Sequence, residues 1–386
     1  MRKTGEIRLM KVGGESYSPF IPLALPPRPP IRIEGRLAAQ IEAASLAIGR
    51  LDTIADILPL DTLLYLFGRQ EAVLSSQIEG TQSTLSDLFL FEQGQLERVS
   101  NADVRESANY VESLNYGLSQ LRELPLSLRL IKETHARLMQ QVRGNEKSPG
   151  QFRRSQNWIG GNRPGNASYV PPPPEAVLQC MGELEDYLHN SRDQHPRLIR
   201  AALVHAQFES IHPFLDGNGR MGRLLITFQL QQERVLTQPL LYLSLYFKQH
   251  RIEYYNRLQA TRTQGDLEGW VSYFLDAVTS VAGQVKATAQ EMLGLSRQVE
   301  RQIKDKGGRL TGSLLRVLPA LLNSPVASIP AIARATDLSY PPVERCLSWL
   351  ADQRVLEELP SSHPRLFVFN ELIELLQNNS DRIDSG

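Results

Sequence analysis

The sequence predicts a mainly α protein with one β-hairpin in its middle and a small helical module ending in two strands. Three observations carry this expectation. Apolar residues recur at helical spacing over most of the chain. One stretch, residues 150–174, breaks the pattern with paired glycines and a Pro-Gly turn between two β-prone pieces. After a polar stretch at 297–310, the order helix, helix, turn, helix, strand, strand begins.

Taken in order, residues 17–31 (YSPFIPLALPPRPPI) are too proline-rich for a helix interior and predict an extended arm lying against the rest. Helical periodicity starts near Ile33. A helix beginning after Asp61 places Leu63, Phe67, Leu74 and Ile78 on one face, and Gly80 supplies a left-handed stop. Further helices are expected over 104–120, 127–142, 175–189, 196–209, 219–235 and 267–295. The hairpin at 150–174 pairs NWI with SYV. In the terminal module, from about Thr311 to Leu376, LEELP and LFVFN flank the turn SSHPR.

Composition narrows the function. With 386 residues, 41% hydrophobic and 22% charged, the chain can bury two or three cores. Basic and acidic residues balance at 42 each, so no global field recruits nucleic acid or an anionic membrane. The two cysteines, Cys180 and Cys346, lie far apart without metal-type spacing, which fits core thiols in a reducing compartment. No apolar run is long enough to cross a bilayer, and the start MRKTGEIRLM lacks a signal-like core. A cytoplasmic protein is expected.

The chemistry concentrates in AALVHAQFESIHPFLDGNGRMGRLLITFQL, where one apolar helix runs into a short loop and then a second helix. Gly217 and Gly219 flank Asn218 at the start of the second helix. Such a turn can direct successive N–H groups at one point, and the helix N-terminus adds positive potential, which makes an anion cradle. Asp216 is a hard oxygen ligand suited to Mg2+, and the forked donors of Arg220 and Arg223 match phosphate. His212, with a reference pKa near neutrality, can accept a proton from an incoming hydroxyl. Phe214 reads as the apolar anchor of the loop. GNGRMG also fits G-x-G-x-x-G, but a dinucleotide site needs a preceding strand and an acidic residue about 20 positions on. Here a helix precedes it, and Glu233 and Glu253 are misplaced.

The run His212-Pro213-Phe214-Leu215-Asp216-Gly217-Asn218-Gly219-Arg220-Met221-Gly222-Arg223 resembles the Fic motif with no departing position. The resemblance implies a Fic-type helical core with a β-hairpin flap, and transfer of AMP from ATP to a Ser, Thr or Tyr hydroxyl of a protein. By it, His212 deprotonates the target, Asp216 binds Mg2+, Gly217, Asn218, Gly219 and Arg220 hold the phosphates, and Arg223 meets the γ-phosphate. The flap, Asn157, Trp158, Ile159, Gly160 and Gly161 with Ser168, Tyr169 and Val170, would clamp a target segment as an added strand. Tyr254 and Tyr255 match a family position lining the adenosine pocket, and one packed, one exposed aromatic is the competing reading. His205 reads as a buried structural histidine.

Ser75-Ser76-Gln77-Ile78-Glu79-Gly80 resembles the inhibitory motif of the same family. A carboxylate in the last helical turn opposes the helix dipole and wants a cation. The resemblance makes Arg223 that cation, with Glu79 competing against the γ-phosphate and Ser75 on the same helix face. It also allows self-modification, the reverse removal of AMP and a homodimer. The expected organisation is an arm and helices, the inhibitory helix among them, over 1–110, a catalytic core over 111–296, a linker at 297–310, a module resembling a winged helix-turn-helix over 311–376 and a tail at 377–386. In the expected recognition helix, Glu344 and Asp352 offset Arg345 and Arg354, which speaks against DNA. Two rivals stand beside this reading: an ATP-sensing regulator with a DNA-binding winged helix, and a transferase of another phosphate-linked group such as UMP or phosphocholine.

Overall fold

The structure, a computed structural model, describes residues 2–12, 14–56, 59–94, 101–189, 193–360 and 364–378. The expected tail beyond Asn378 and residues 361–363 of the expected SSHPR turn lie outside them.

The chain opens on four short strands that its sequence does not announce. β1 (Gly5–Ile7) pairs antiparallel with β4 (Phe20–Pro22), and β2 (Met10–Val12) pairs with β3 (Glu15–Tyr17). Helices follow as α1 (Arg36–Asp52), α2 (Leu60–Ile78), α3 (Leu85–Glu92), α4 (Asn101–Gln120), α5 (Leu128–Leu138), α6 (Pro174–Leu188), α7 (Arg197–Ile211), α8 (Asn218–Gln232), α9 (Ser244–Gln249), α10 (Arg251–Thr263) and α11 (Leu267–Lys306). The terminal module holds α12 (Thr311–Asn323), α13 (Ile329–Thr336), α14 (Tyr340–Asp352) and α15 (Asn370–Asn378).

Local chemistry explains the starts and stops. Thr84 and Asp87 form a reciprocal capping box on α3, Asp266 caps α11, and Ser328 caps α13. Gly80, at φ 101°, ends α2 in a conformation that only glycine adopts cheaply. The helix expected over 127–142 stops at Leu138, and Gln141 is already left-handed.

The antiparallel pair α7 and α8 forms the centre. Every residue from Ala201 to Ile211 and from Arg220 to Leu230 is buried, so both helices are enclosed all round. α4 and α5 pack on α8, α2 lies against α4 and α9, and α6, α10 and α11 close the α7 side. The loop 212–217 at the end of the pair therefore faces the C-terminus of α2 and the helices α4 and α5.

Two expectations need correction. The middle hairpin is reduced to one antiparallel bridge, Ile159 with Tyr169, because Gly160 and Gly161 are left-handed and a short turn at Pro164–Asn166 widens the loop. The stretch 297–310, expected as a linker, continues α11 as far as Lys306: Leu295, Val299 and Ile303 keep one buried stripe going, and that stripe packs against the terminal module. That module adds a three-stranded antiparallel sheet of β5 (Val326–Ser328), β6 (Glu357–Leu359) and β7 (Leu366–Val368), ordered β5-β7-β6. It rests on α2: Thr62 is hydrogen-bonded to Asn323, and the Gln70 amide donates to the Leu376 carbonyl at 2.6 Å. No helix is long and apolar enough to cross a membrane among the described residues.

Candidate active site

The loop is built by its own side chains. His212 ends α7 in the left-handed region, φ 48°, turning the chain away from the helix axis. Asn218 clasps the turn: its Oδ1 accepts from the Phe214 N–H and its Nδ2 donates to the Phe214 carbonyl, both at 2.8 Å. Its amide is thus committed to the loop, and only its main chain faces a ligand. Phe214 is fully buried and stacks on His135, with ring centroids 3.6 Å apart. The Arg153 guanidinium, 3% exposed, donates to the His212 carbonyl at 2.9 Å.

Gly217 starts α8 at φ 74°, and the first turn carries no side-chain cap. Its N–H groups lack intrahelical acceptors and form the positive end of the helix. A β-carbon on Gly219 would fall 2.1 Å from Glu79 Oε1. The Glu79 carboxylate therefore lies directly over the cradle.

Arg223, 2% exposed, reaches α2. Its Nε donates to Ser75 Oγ at 2.7 Å, and its Nη2 donates to the Ser75 carbonyl at 2.9 Å and to Glu79 Oε1 at 2.7 Å. Burial alone would raise the Glu79 pKa, but the charge and hydrogen bond of Arg223 overcome it and hold the carboxyl below 4.5. Arg220 is tied instead to Glu106 at 2.7 Å, a buried carboxylate whose pKa burial pushes up.

Asp216 pairs with Lys147 at 2.9 Å, and that ammonium, with its hydrogen bond, lowers the carboxyl against burial. A cation is thus already accommodated there. Among the described residues no three acidic, His or Cys groups cluster to cage a metal. One partly exposed carboxylate beside an anion cradle fits Mg2+, which keeps waters and shares phosphate oxygens.

Burial holds His212 neutral, with its pKa pushed down to about 3. His205 is buried between the Gly222 carbonyl and the Tyr254 hydroxyl, at 2.9 and 2.8 Å. Tyr254 is 1% exposed within the aromatic core and serves His205, whereas Tyr255 is 42% exposed. One ring is thus packed and the other exposed, the arrangement weighed as the competing reading, and the Tyr254 hydroxyl is committed to His205.

The flap is divided as well. Asn157 Nδ2 donates to the Phe214 carbonyl at 2.9 Å, and Trp158 and Ile159 are each 38% exposed. Tyr169 and Val170 are buried, and the Val170 carbonyl already accepts from the Phe20 N–H at 2.9 Å. That edge is taken by the N-terminal arm, which also grips the loop through Glu15 and the Gly165 N–H at 3.0 Å. Asn157 to Gly161 and the exposed Ser168, whose N–H donates to the Ile159 carbonyl at 2.9 Å, are the flap residues that the arm leaves uncovered.

Sequence reasoning missed His135, Lys147, Glu106, Arg153, Glu209 and Arg262 around the loop. All come from other elements or look like ordinary helical positions, and a single sequence marks none of them.

Residues 125–230 match the model of the Fic/DOC family, and residues 38–119 match that of the Fic/DOC family N-terminal region. The chain is 34% identical over 160 residues to a protein adenylyltransferase Fic of Drosophila willistoni, covering 41% of this chain and 29% of that protein. The corresponding protein of Aedes aegypti is 35% identical over 153 residues, covering 39% and 27%. The chain thus spans less than a third of the length of these relatives. Its fold is similar to that of a Fic family protein from Desulfovibrio desulfuricans, with a TM-score of 0.56 and 20% identity over 88% of this chain and 97% of that one. A Fic domain containing signaling protein from Bacteroides thetaiotaomicron gives 0.50 at 19% identity, over 64% and 97%. From Ala38 to Leu230 the chain carries, in succession, regions that match the N-terminal part and the domain of the Fic/DOC family.

Proposed function

We propose that this chain is a protein adenylyltransferase held inactive by its own Glu79. The observation that carries the reading is the occupant of the cradle: an intramolecular carboxylate sits over Gly219 and on Arg223, where a phosphate would be received. An anion site at a helix N-terminus, next to a neutral histidine, suits attack by a hydroxyl on a phosphoanhydride.

In this reading ATP lies with its phosphates along the first turn of α8. Asp216 and the phosphate oxygens would hold Mg2+, which supplies charge neutralisation for the leaving group. The target Ser, Thr or Tyr oxygen bonds to the α-phosphorus, and its proton passes to the His212 Nε2. The bond from the α-phosphorus to the bridging oxygen breaks, and pyrophosphate leaves. Arg223 holds the γ-phosphate only once Glu79 gives way. Self-modification would use the same groups, and reverse removal of AMP would have Glu79 in place to support it.

The target would add to Asn157–Gly161, with Trp158 and Ile159 offering apolar contact. The module 311–376 is read as a winged helix that docks a protein partner rather than DNA. Arg365, beside its expected recognition helix, is already neutralised by Glu344 and Glu358. Because the module rests on α2, a partner bound there can bias the helix that carries Glu79. Incubating the Glu79→Gly protein with Mg2+ and ATP tests the reading: a mass gain of one AMP on itself or a lysate protein supports it, and no gain under any condition refutes it.

A further inference from the structure

His212 does not stand alone at its buried side. Its Nδ1 is sealed from solvent and makes no full hydrogen bond, although the Glu209 main-chain carbonyl lies close enough to favour the protonated ring. One helical turn earlier, Glu209 is 6% exposed, and its Oε1 is sealed and unpartnered too. The second oxygen, Oε2, lies 3.8 Å from His212 Nδ1, and no other described carboxylate comes within 4.0 Å of either ring nitrogen. The opposite helix makes room for this acid: a β-carbon on Gly222 would fall 2.4 Å from Glu209 Oε1. A carboxylate buried without a full set of partners is costly, and so is an imidazole nitrogen left empty beside it.

We infer that Glu209 is a positioning residue for His212, its carboxylate taking the Nδ1–H so that Nε2 is the nitrogen left to accept a proton. This rests on the adenylyltransferase reading and deepens it. A small closing motion brings the 3.8 Å pair to hydrogen-bond length, and the carboxylate then balances the imidazolium formed when the target hydroxyl gives up its proton. Without such a counter-charge, an imidazole that burial holds neutral to about pH 3 is a poor base.

The groups facing Glu209 set when it is charged. Burial raises its carboxyl to about pH 7, Arg223 and Arg262 oppose this, and Glu79 adds to it; Tyr254 on α10 interacts with it as well, and His212 adjoins it at the end of α7. Glu79 thus opposes the ionised form of Glu209 while it occupies Arg223. A folded pKa above the ordinary carboxyl value means that the counter-charge is present above about pH 7 and is lost as pH falls through that value.

The test is made in the Glu79→Gly full chain with Mg2+ and ATP. Glu209→Gln is expected to lower kcat by roughly 10²-fold, to leave KM for ATP unchanged, and to remove the acid-side loss of rate that the parent shows as Glu209 takes up its proton. Glu209→Asp, which keeps the charge, is expected to recover part of the rate. A Glu209→Gln protein with the parental kcat and pH profile overturns the inference. Imidazole 15N spectra without nucleotide decide it independently of activity, with His212 assigned by its loss in His212→Asn. A proton on Nδ1 at alkaline pH, where Glu209 is ionised, is expected in the parent, and its move to Nε2 is expected in Glu209→Leu. A proton that stays on Nδ1 in a folded Glu209→Leu overturns the inference, and so does an unprotonated Nδ1 in the parent, which needs no variant to fold. If the parent transfers no AMP while these spectra behave as expected, the reaction assignment fails and the pairing stands.

Discussion

Arg223 joins Glu79 across 144 positions of sequence at 2.7 Å, and the same guanidinium is fixed by two further bonds to Ser75. Helix α2 therefore closes the cradle with an anion of its own. Everything proposed about regulation follows from who holds that guanidinium.

Glu79→Gly removes the anion and leaves Arg223 to Ser75 alone. Because Glu79 is 32% exposed while Arg223 is 2% exposed, the loss is moderate, about 1–3 kcal/mol for a hydrogen bond between charged groups. The variant should melt several degrees lower than wild type without ligand. Saturating MgATP should restore more stability to the variant than to wild type. Thermal melts with and without MgATP check both.

The ion pair should also be pH-dependent in a defined direction. The folded pKa of Glu79 is depressed, so its contribution is present above the unfolded value and is lost as pH falls through the folded one. The stability gap between wild type and Glu79→Gly should be full at pH 7 and shrink below about pH 4. Urea unfolding of both proteins at pH 7 and pH 3.5 measures it, and a gap constant across that range would contradict the pairing.

How much of this was legible in the sequence follows from distance along the chain. The cradle could be read because its parts, His212 to Arg223, are contiguous and their chemistry is redundant. Glu79 was legible because a carboxylate at a helix C-terminus is locally unfavourable and demands a partner. Glu209 was not: it is one of several polar residues on α7, beside His205, Gln207 and Ser210, and only its approach to His212 and Gly222 gives it meaning. The arm's strands were hidden because their pairing, such as Gly5 with Pro22, depends on contacts that short, mixed segments do not encode. The helix running through 297–306 was misread because polarity was weighed above the buried stripe of Val299 and Ile303.

At the proposed metal position, Asp216→Asn should act as magnesium withdrawal does. In the Glu79→Gly background, chelation and Asp216→Asn should each reduce AMP transfer by at least tenfold, and together scarcely more than either alone, as groups acting as a unit behave. Lys147→Ala should strengthen Mg2+ binding, since it frees the carboxylate held at 2.9 Å. Calorimetric titration of Mg2+ in the presence of a non-hydrolysable ATP analogue reads the change.

Gly222→Ala should be harmful for a steric reason, because its β-carbon would displace the Glu209 carboxylate end, met at 2.4 Å, and press on the packed rings of His205 and Phe208 at 3.3 Å. Overpacking between α7 and α8 should cost about 1–3 kcal/mol. Denaturant melts measure it, and a variant as stable as wild type would mean that the two helices are less closely fitted than described.

The central claim is that His212 takes the proton of the attacking hydroxyl beside a nucleotide gripped by the adjoining turn. The direct measurement is the rate of AMP incorporation by Glu79→Gly and by Glu79→Gly with His212→Ala, at equal ATP occupancy. The account predicts a loss of at least roughly 10²-fold with ATP affinity little changed. Equal rates from the two proteins would contradict it.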